Sequence, residues 1–285
     1  MTATRFAPSP TGLLHLGHAY SALMAHDVAR EMGGKYLLRI DDLDSGRVRD
    51  AYRAGIDRDL VWLGLEPDAR SLVQSQRVAD YAAALERLKA VGLAYPCFCT
   101  RAEIAASVSA PHGPDGPVYP GTCLGMDVGS ASARIAAGED HAWRLDMAQA
   151  LDGAAELVWH DRDAGTVIAE PTPFGDIVLA RRDGAFAYHL ASTVDDAAQE
   201  ISHVVRGADL FAATHIHRLL QALLDLPTPA YVHHRLIAGA DGKRLAKRHD
   251  AASIASLRAA GMEPGLLIDN MRQGVLPLGY RWLDA

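Results

Sequence analysis

His15 and His18 stand three residues apart in the run Arg5-Phe-Ala-Pro-Ser-Pro-Thr-Gly-Leu-Leu-His-Leu-Gly-His18. On a helix that spacing puts both imidazoles on one face, where they can donate to a single anion. The run reads as a strand, a proline-stiffened loop and the first turn of a helix. A helix start presents unpaired N–H groups and the positive end of the helix dipole, which suits a phosphate. Gly17 lacks a Cβ and lets a flat ring or a phosphate lie against the backbone. Together these residues suit displacement at the α-phosphate of a nucleotide. Nothing in the chain fits G-x-x-x-x-G-K-[ST], and no G-x-G-x-x-G follows a strand, so those two phosphate motifs are excluded.

A second cationic feature lies far along the chain, Gly242-Lys-Arg-Leu-Ala-Lys-Arg248, with four cations in six residues. They can neutralise a triphosphate and its departing pyrophosphate, and such displacements are catalysed mainly by positioning and charge stabilisation. Alone the run would be a solvated loop; its value comes from pairing with His15 and His18. The third group is Cys97, Cys99 and Cys123. An odd count with a C-x-C pair does not suit a disulfide framework. Three thiolates and one further donor make a tetrahedral structural zinc site, and on chemistry alone His112 is the fourth ligand.

The elements that must position these groups alternate between strand and helix, which favours an α/β fold with a mostly parallel sheet. Thr4 to Ala7 reads as a strand, and Leu16, Ala19, Tyr20, Leu23 and Met24 as a helix ended by Gly33-Gly34. Tyr36 to Ile40 reads as a buried strand, Arg47 to Leu63 as a helix, and Val78 to Leu88 as an amphipathic one. From Tyr95 to about Glu170 glycine and proline are frequent, with short strand candidates at Trp143–Leu145 and Leu157–Trp159. Ile177–Leu179 and Val204–Val205 read as strands, with helices starting near Tyr188 and running from Phe211 to Leu224. Two short helical stretches close the chain. The expected division is a first core half at 1–94, an insertion at 95–170, a second core half at 171–240 and a final segment at 241–285.

Composition narrows the class. The 285 residues carry 28 Lys and Arg against 35 Asp and Glu, a formal charge of −7, with 49% hydrophobic residues. That is a folded, water-compatible chain with no global basic footprint, so any nucleic-acid contact needs a local cationic patch. No apolar run has signal-peptide or membrane-spanning length, and the cytoplasm is the expected location.

The H-L-G-H turn and the R-L-A-K-R loop resemble the two signatures of class I aminoacyl-tRNA synthetases. R-F-A-P-S-P-T-G, L-L-R-I-D-D-L-D, A-Y-H-L-A-S-T-V-D-D and V-V-R-G-A-D-L are similar to blocks of the glutamyl branch, and the matches run from residue 5 to 248. The resemblance implies a class I Rossmann catalytic core with a zinc-bearing insertion. A full glutamyl-tRNA synthetase continues into a helical anticodon-binding region; here none is expected. The chain therefore looks like the branch's truncated paralogues, which activate glutamate with ATP and esterify it to queuosine in the anticodon of tRNA(Asp), without needing the tRNA for activation.

Carried over by residue, the resemblance places Arg5, Phe6, Ala7, Pro8, Ser9, Asp41, Tyr188 and Arg206 around glutamate. It places His15, Gly17, His18 and Lys247 at ATP, with His15, His18 and Lys247 catalytic. Guanidinium forks from Arg5 and Arg206 suit a dicarboxylate, and a carboxylate suits its ammonium. Asp41 stands where the family has Glu, one methylene shorter, so its contact to the ammonium is expected to lengthen or to pass through water. Asp41, Asp42 and Asp44 are alternatively caps for the following helix. Arg244 and Ala246 replace the first Lys and the first Ser of the loop signature. For the metal, the resemblance points to Tyr119 with Cys97, Cys99 and Cys123, and His112 is the alternative. One structural zinc, magnesium with ATP and a monomer are expected. A cationic face of Arg181, Arg182, Arg244 and Arg248 is expected to meet the tRNA. The competing readings are a small-molecule nucleotidyltransferase, a discrete glutamyl-tRNA synthetase and a non-enzymatic zinc-bearing RNA module.

Overall fold

The computed structural model describes residues 2–106, 112–114, 116–239, 241–242, 245 and 253–283, with the backbone alone at 106, 112 and 113. The first elements are β1 (Ala3–Phe6), α1 (Leu16–Glu31), β2 (Lys35–Ile40), α2 (Asp50–Leu63) and β3 (Leu72–Val73). β1, β2 and β3 run parallel, with Phe6 opposite Leu38 and Ile40 opposite Val73. Parallel neighbours need a crossover, which α1 supplies between β1 and β2. Its apolar face buries Leu16, Ala19 and Leu23 in a core with Phe6, Leu38 and Ile40. α2 stops at Gly64, whose φ of 68° is a left-handed cap that glycine adopts without strain.

Next come α3 (Val78–Ala90), β4 (Ala94–Cys97), α4 (Arg101–Ala106) and the two-residue strands β5 (His112–Gly113) and β6 (Gly116–Pro117). α5 (Val128–Ala136), β7 (Ala142–Leu145), α6 (Met147–Leu151), β8 (Val158–Asp161), β9 (Gly165–Ile168) and β10 (Val178–Ala180) follow. β7 stands between β4 and β10, antiparallel to both. The second parallel unit is α7 (Tyr188–Ala198), β11 (His203–Gly207), α8 (Ala213–Leu223) and β12 (Ala230–His234). β13 (Leu236–Ala238), α9 (Ile254–Ala259), α10 (Pro264–Arg272) and β14 (Arg281–Leu283) complete the chain, with β13 antiparallel to β14.

The two parallel sheets meet where β1 passes β11. The Ser202 N–H donates to the Ala3 carbonyl at 3.0 Å, and the Ala3 N–H donates to Ser202 Oγ at 2.9 Å. β1 thus has β2 on one side and β11 on the other, a reversal of strand order that opens a crevice at the strands' carboxyl ends. The β8–β9 hairpin falls inside the expected insertion, yet it extends the second sheet. The Arg162 N–H donates to the Tyr231 carbonyl at 2.9 Å, and Tyr231 stands opposite Asp161. β12 and β13 were not anticipated, because Tyr-Val-His-His-Arg reads as polar although Tyr231 to His234 are all buried. The capping reading of Asp41, Asp42 and Asp44 does not hold for α2. The helix starts at Asp50 behind Arg49, without a side-chain cap, and Asp42 instead takes the N–H and hydroxyl of Ser75, both at 2.7 Å. Among the described residues no helix is long and apolar enough to cross a membrane.

Candidate active site

A cavity of about 530 Å³ opens at the carboxyl ends of β1, β2, β11 and β12. All eight residues expected around the amino acid line it, as do His15, Gly17 and His18. Arg5 and Val205, 200 residues apart in sequence, converge here because β1 and β11 are neighbours.

The imidazole turn is built as a reciprocal cap on α1. His15 Nδ1 accepts the Gly17 N–H at 3.1 Å, and His18 Nδ1 accepts the His15 N–H at 3.2 Å. With both Nδ1 atoms accepting, each neutral ring carries its proton on Nε2, a donor. The rings lie 3.8 Å apart, and no acidic residue sits in the first turn of α1 to offset its positive end. Gly17 also meets a packing need inside the turn. A Cβ there would come within 3.1 Å of the His15 ring, so glycine lets that ring fold back over the turn. Lys247, with Lys243, Arg244 and Arg248, lies outside the described residues. Leu245 lines the cavity, and Ser253 forms a β-bridge with His15.

Beneath the cavity lies a network of buried charge. Two adjacent carboxylates on α7 tie the central strands together. Arg5 Nε donates to Asp196 Oδ1 at 2.8 Å and its Nη2 to Oδ2 at 3.2 Å. Arg39 Nη1 reaches Asp196 Oδ1 at 2.6 Å. Asp195 accepts from Gln74, Arg77 and Tyr81 at 2.9, 2.7 and 2.7 Å. Burial alone would raise the Asp196 carboxyl, but the guanidinia of Arg5 and Arg39 hold it below the usual range. The Nε/Nη2 fork of Arg5, expected to face the substrate, is thus engaged by Asp196; one N–H on each of Nη1 and Nη2 has no partner among the described residues. Asp41 accepts from Arg39 Nε at 2.7 Å and Nη2 at 3.2 Å. Burial raises its carboxyl despite that guanidinium.

Arg206 differs from these arginines. It is 5% exposed, and among the described residues no carboxylate lies within ion-pair distance. Its Nε donates to His233 Nε2 at 3.2 Å, its Nη1 to His217 Nδ1 at 3.1 Å and to the Tyr188 hydroxyl at 3.5 Å, and its Nη2 to Thr214 Oγ1 at 2.6 Å. Both histidines are neutral. Burial, then Arg206, drives His217 well below its ordinary value, and the same causes push His233 down to about 4 against Asp161. A buried guanidinium held by neutral acceptors at a cavity wall has the chemistry to receive an anion. Arg39, Asp195, Asp196, His217 and His233 escaped the sequence reading. The signal available was charge in buried settings, as in R-I-D-D and T-V-D-D.

The three thiols form a separate centre. The Sγ atoms of Cys97, Cys99 and Cys123 lie within 4.8 Å of one another. The Tyr119 hydroxyl is 3.5 Å from Cys99 Sγ and accepts the Cys123 N–H at 2.8 Å. Burial holds the Cys99 thiol up. At Cys123 hydrogen bonds from Tyr119 and the Phe98 N–H overcome burial and bring the thiol down. Three sulfurs and a phenol oxygen around one point fit a metal ion by donor number and type. The His112 side chain lies outside the described residues. Arg182 donates to the Phe98 carbonyl beside this centre, and Arg181 pairs with Asp183.

The family model for the catalytic domain of class I tRNA synthetases (E and Q) matches residues 1–280. The Glutamyl-Q tRNA(Asp) synthetase of Rhodobacter capsulatus is 48% identical over 92% of this chain and 96% of its own length. That of Symbiobacterium thermophilum is 42% identical over 95% of this chain and 85% of its own. A glutamate tRNA ligase from Elizabethkingia meningosepticum, solved with its amino acid, superposes with a TM-score of 0.72 at 27% identity over 87% of this chain. The chain spans 52% of that ligase, about half its length. A match from residue 1 to 280, with relatives 42 and 48% identical over at least 92% of the sequence, makes this chain a member of the class I tRNA synthetases of the glutamate and glutamine type.

Proposed function

We propose that the chain activates glutamate with ATP as glutamyl-adenylate and transfers the glutamyl group to queuosine in the anticodon loop of tRNA(Asp). One observation carries the reading: a single cavity joins the helix-start imidazole pair to a buried guanidinium that has no ionic partner among the described residues. The side-chain carboxylate of glutamate meets Arg206 and Tyr188, and Arg5 offers its remaining Nη donors. The ammonium takes the lone pairs of Asp41 that Arg39 leaves, with Phe6 to Ser9 forming the wall. An α-carboxylate oxygen bonds to the α-phosphorus as the bond to the β-phosphate oxygen breaks, and pyrophosphate leaves. The Nε2 donors of His15 and His18 and the ammonium of Lys247 stabilise the charge gathering on the phosphoryl oxygens. A hydroxyl of queuosine then attacks the adenylate carbonyl, the ester forms and AMP leaves.

Magnesium with ATP adds charge neutralisation at the triphosphate. Cys97, Cys99, Tyr119 and Cys123 hold one zinc, which keeps residues 97–123 folded. The core halves 1–94 and 171–240, the insertion 95–170 and the segment 241–285 work as one cytoplasmic monomer. Arg181, Arg182, Arg244 and Arg248 meet the tRNA backbone. The names of the relatives support the queuosine acceptor, against a discrete glutamyl-tRNA synthetase acting on the 3′ end of tRNA(Glu). Pyrophosphate exchange into ATP tests the first step: exchange that needs glutamate and no tRNA is expected. Exchange requiring tRNA(Glu) would favour the discrete synthetase, and none with any amino acid would overturn the reading.

A further inference from the structure

The direction of the Arg206 guanidinium is set by a side chain that does not line the cavity. Arg206 on β11 and His233 on β12 are register partners, and the Arg206 Nε–H points at His233 Nε2. On the far side of β12, Asp161 at the end of β8 places Oδ2 2.8 Å from His233 Nδ1. Asp161 Oδ1 accepts the N–H groups of Asp163 and Ala164 at 2.9 and 3.0 Å, which fixes the carboxylate's orientation. Asp161 is 2% exposed and His233 8%, so the chain of contacts is sheltered from bulk water. An ionised carboxylate only accepts, and therefore holds the imidazole proton on Nδ1. Nε2 is left as the acceptor facing Arg206 and the Thr214 hydroxyl, 3.2 Å away.

We propose that Asp161 and His233 are positioning residues for amino-acid recognition: Asp161 locks His233 as the Nδ1–H tautomer, and that tautomer aims Arg206 into the cavity. The proposal rests on the reading of Arg206 as the receptor of the substrate's side-chain carboxylate. It gives the β8–β9 hairpin a part in substrate selection although neither Asp161 nor His233 lines the cavity. Asparagine at 161 reverses the lock. The N–H groups of Asp163 and Ala164 keep an oxygen on their side, so the amide NH2 turns to His233. Nδ1 must then accept, the proton moves to Nε2, and it meets the Arg206 Nε–H donor to donor.

The test uses the full chain with ¹⁵N-labelled histidine, read by long-range ¹H–¹⁵N NMR, together with calorimetric titrations of glutamate and ATP. The His233 signal, assigned by its loss in His233→Phe, is expected as Nδ1–H in the wild type and Nε2–H in Asp161→Asn. Asp161→Asn is expected to weaken glutamate roughly tenfold or more while leaving ATP affinity unchanged. In the His233→Phe background it is expected to add no further loss. A wild-type His233 protonated on Nε2 would overturn the proposal even if Asp161→Asn failed to fold. So would unchanged glutamate affinity in Asp161→Asn, or independent, additive losses in the double variant. A wild type that binds ATP but not glutamate would instead overturn the reading of Arg206, with the tautomer still decided by the NMR.

Discussion

Arg39 Nε stands 2.7 Å from Asp41 Oδ1, and its Nη2 3.2 Å from Oδ2, so the carboxylate at the cavity wall is held by a guanidinium two residues earlier on the same chain. The shorter side chain is therefore fitted to Arg39, and not simply a Glu that falls short of the substrate. A fork of this kind is specific in geometry as well as strong.

Asp41→Glu consequently has a definite expected outcome. The added methylene enters a buried site and displaces the fork, and overpacking of this kind costs about 1–3 kcal/mol. Glutamate binding is expected to weaken and the melting temperature to fall. Calorimetric titration checks the first; tighter glutamate binding would show that the Arg39 pairing does not set the reach of Asp41.

Arg206 and Arg39 should respond in opposite ways to neutralisation. Arg206→Gln removes a cation that no carboxylate balances within ion-pair distance among the described residues, so stability should hold. The loss should fall on glutamate: about 2–5 kcal/mol of recognition, roughly 30- to 4,000-fold in kcat/KM, with the KM for ATP unmoved. Arg39→Gln leaves Asp41, Asp195 and Asp196 under-compensated and should cost about 3–5 kcal/mol of stability. Thermal melts alongside exchange kinetics separate the two; equal destabilisation would contradict the distinction.

Much of the site was legible because its pieces are local. The imidazole turn, the Pro-rich loop after β1 and the Arg-Gly end of β11 are each a few consecutive residues, and the fold only brings them together. The supporting charges were not legible. Arg5 and Arg39 find Asp196 across 191 and 157 residues, which no periodicity records. β12 was missed for a related reason. Its histidines are buried with partners, His233 between Asp161 and Arg206 and His234 against the Ser21 hydroxyl, so residues that read as surface lie inside. The parallel core followed from alternating strand and helix signals, whereas the β8–β9 hairpin joined the second sheet through contacts that begin only after folding.

The buried neutral histidines give stability a pH dependence. His233 has a folded value of about 4, against about 6.5 when unfolded. The unfolded chain thus binds more protons between those values. The stabilisation is fully present above about pH 6.5 and is lost as pH falls toward 4, by about 3 kcal/mol in all. His217 acts in the same direction. Melting temperature measured from pH 8 to 4.5 should fall below 6.5, and His233→Phe should flatten the slope. An unchanged slope in that variant would contradict the assignment.

At the thiol centre, Cys123→Ser should release about one zinc per chain and open residues 97–123 to hydrogen exchange. Tyr119→Phe should weaken the metal without abolishing it, since three sulfurs remain. Elemental analysis of purified protein checks both. A wild type that neither contains zinc nor takes it up would contradict a metal role for the cluster, and unaltered affinity in Tyr119→Phe would shift the fourth position to His112.

The central claim is tested most directly by transfer of radiolabelled glutamate from ATP-activated enzyme to tRNA(Asp) with and without queuosine. Label is expected on queuosine-containing tRNA(Asp), and none on the same tRNA carrying guanine at that position. Equal labelling of both tRNAs, or labelling confined to the 3′ end of tRNA(Glu), would contradict it.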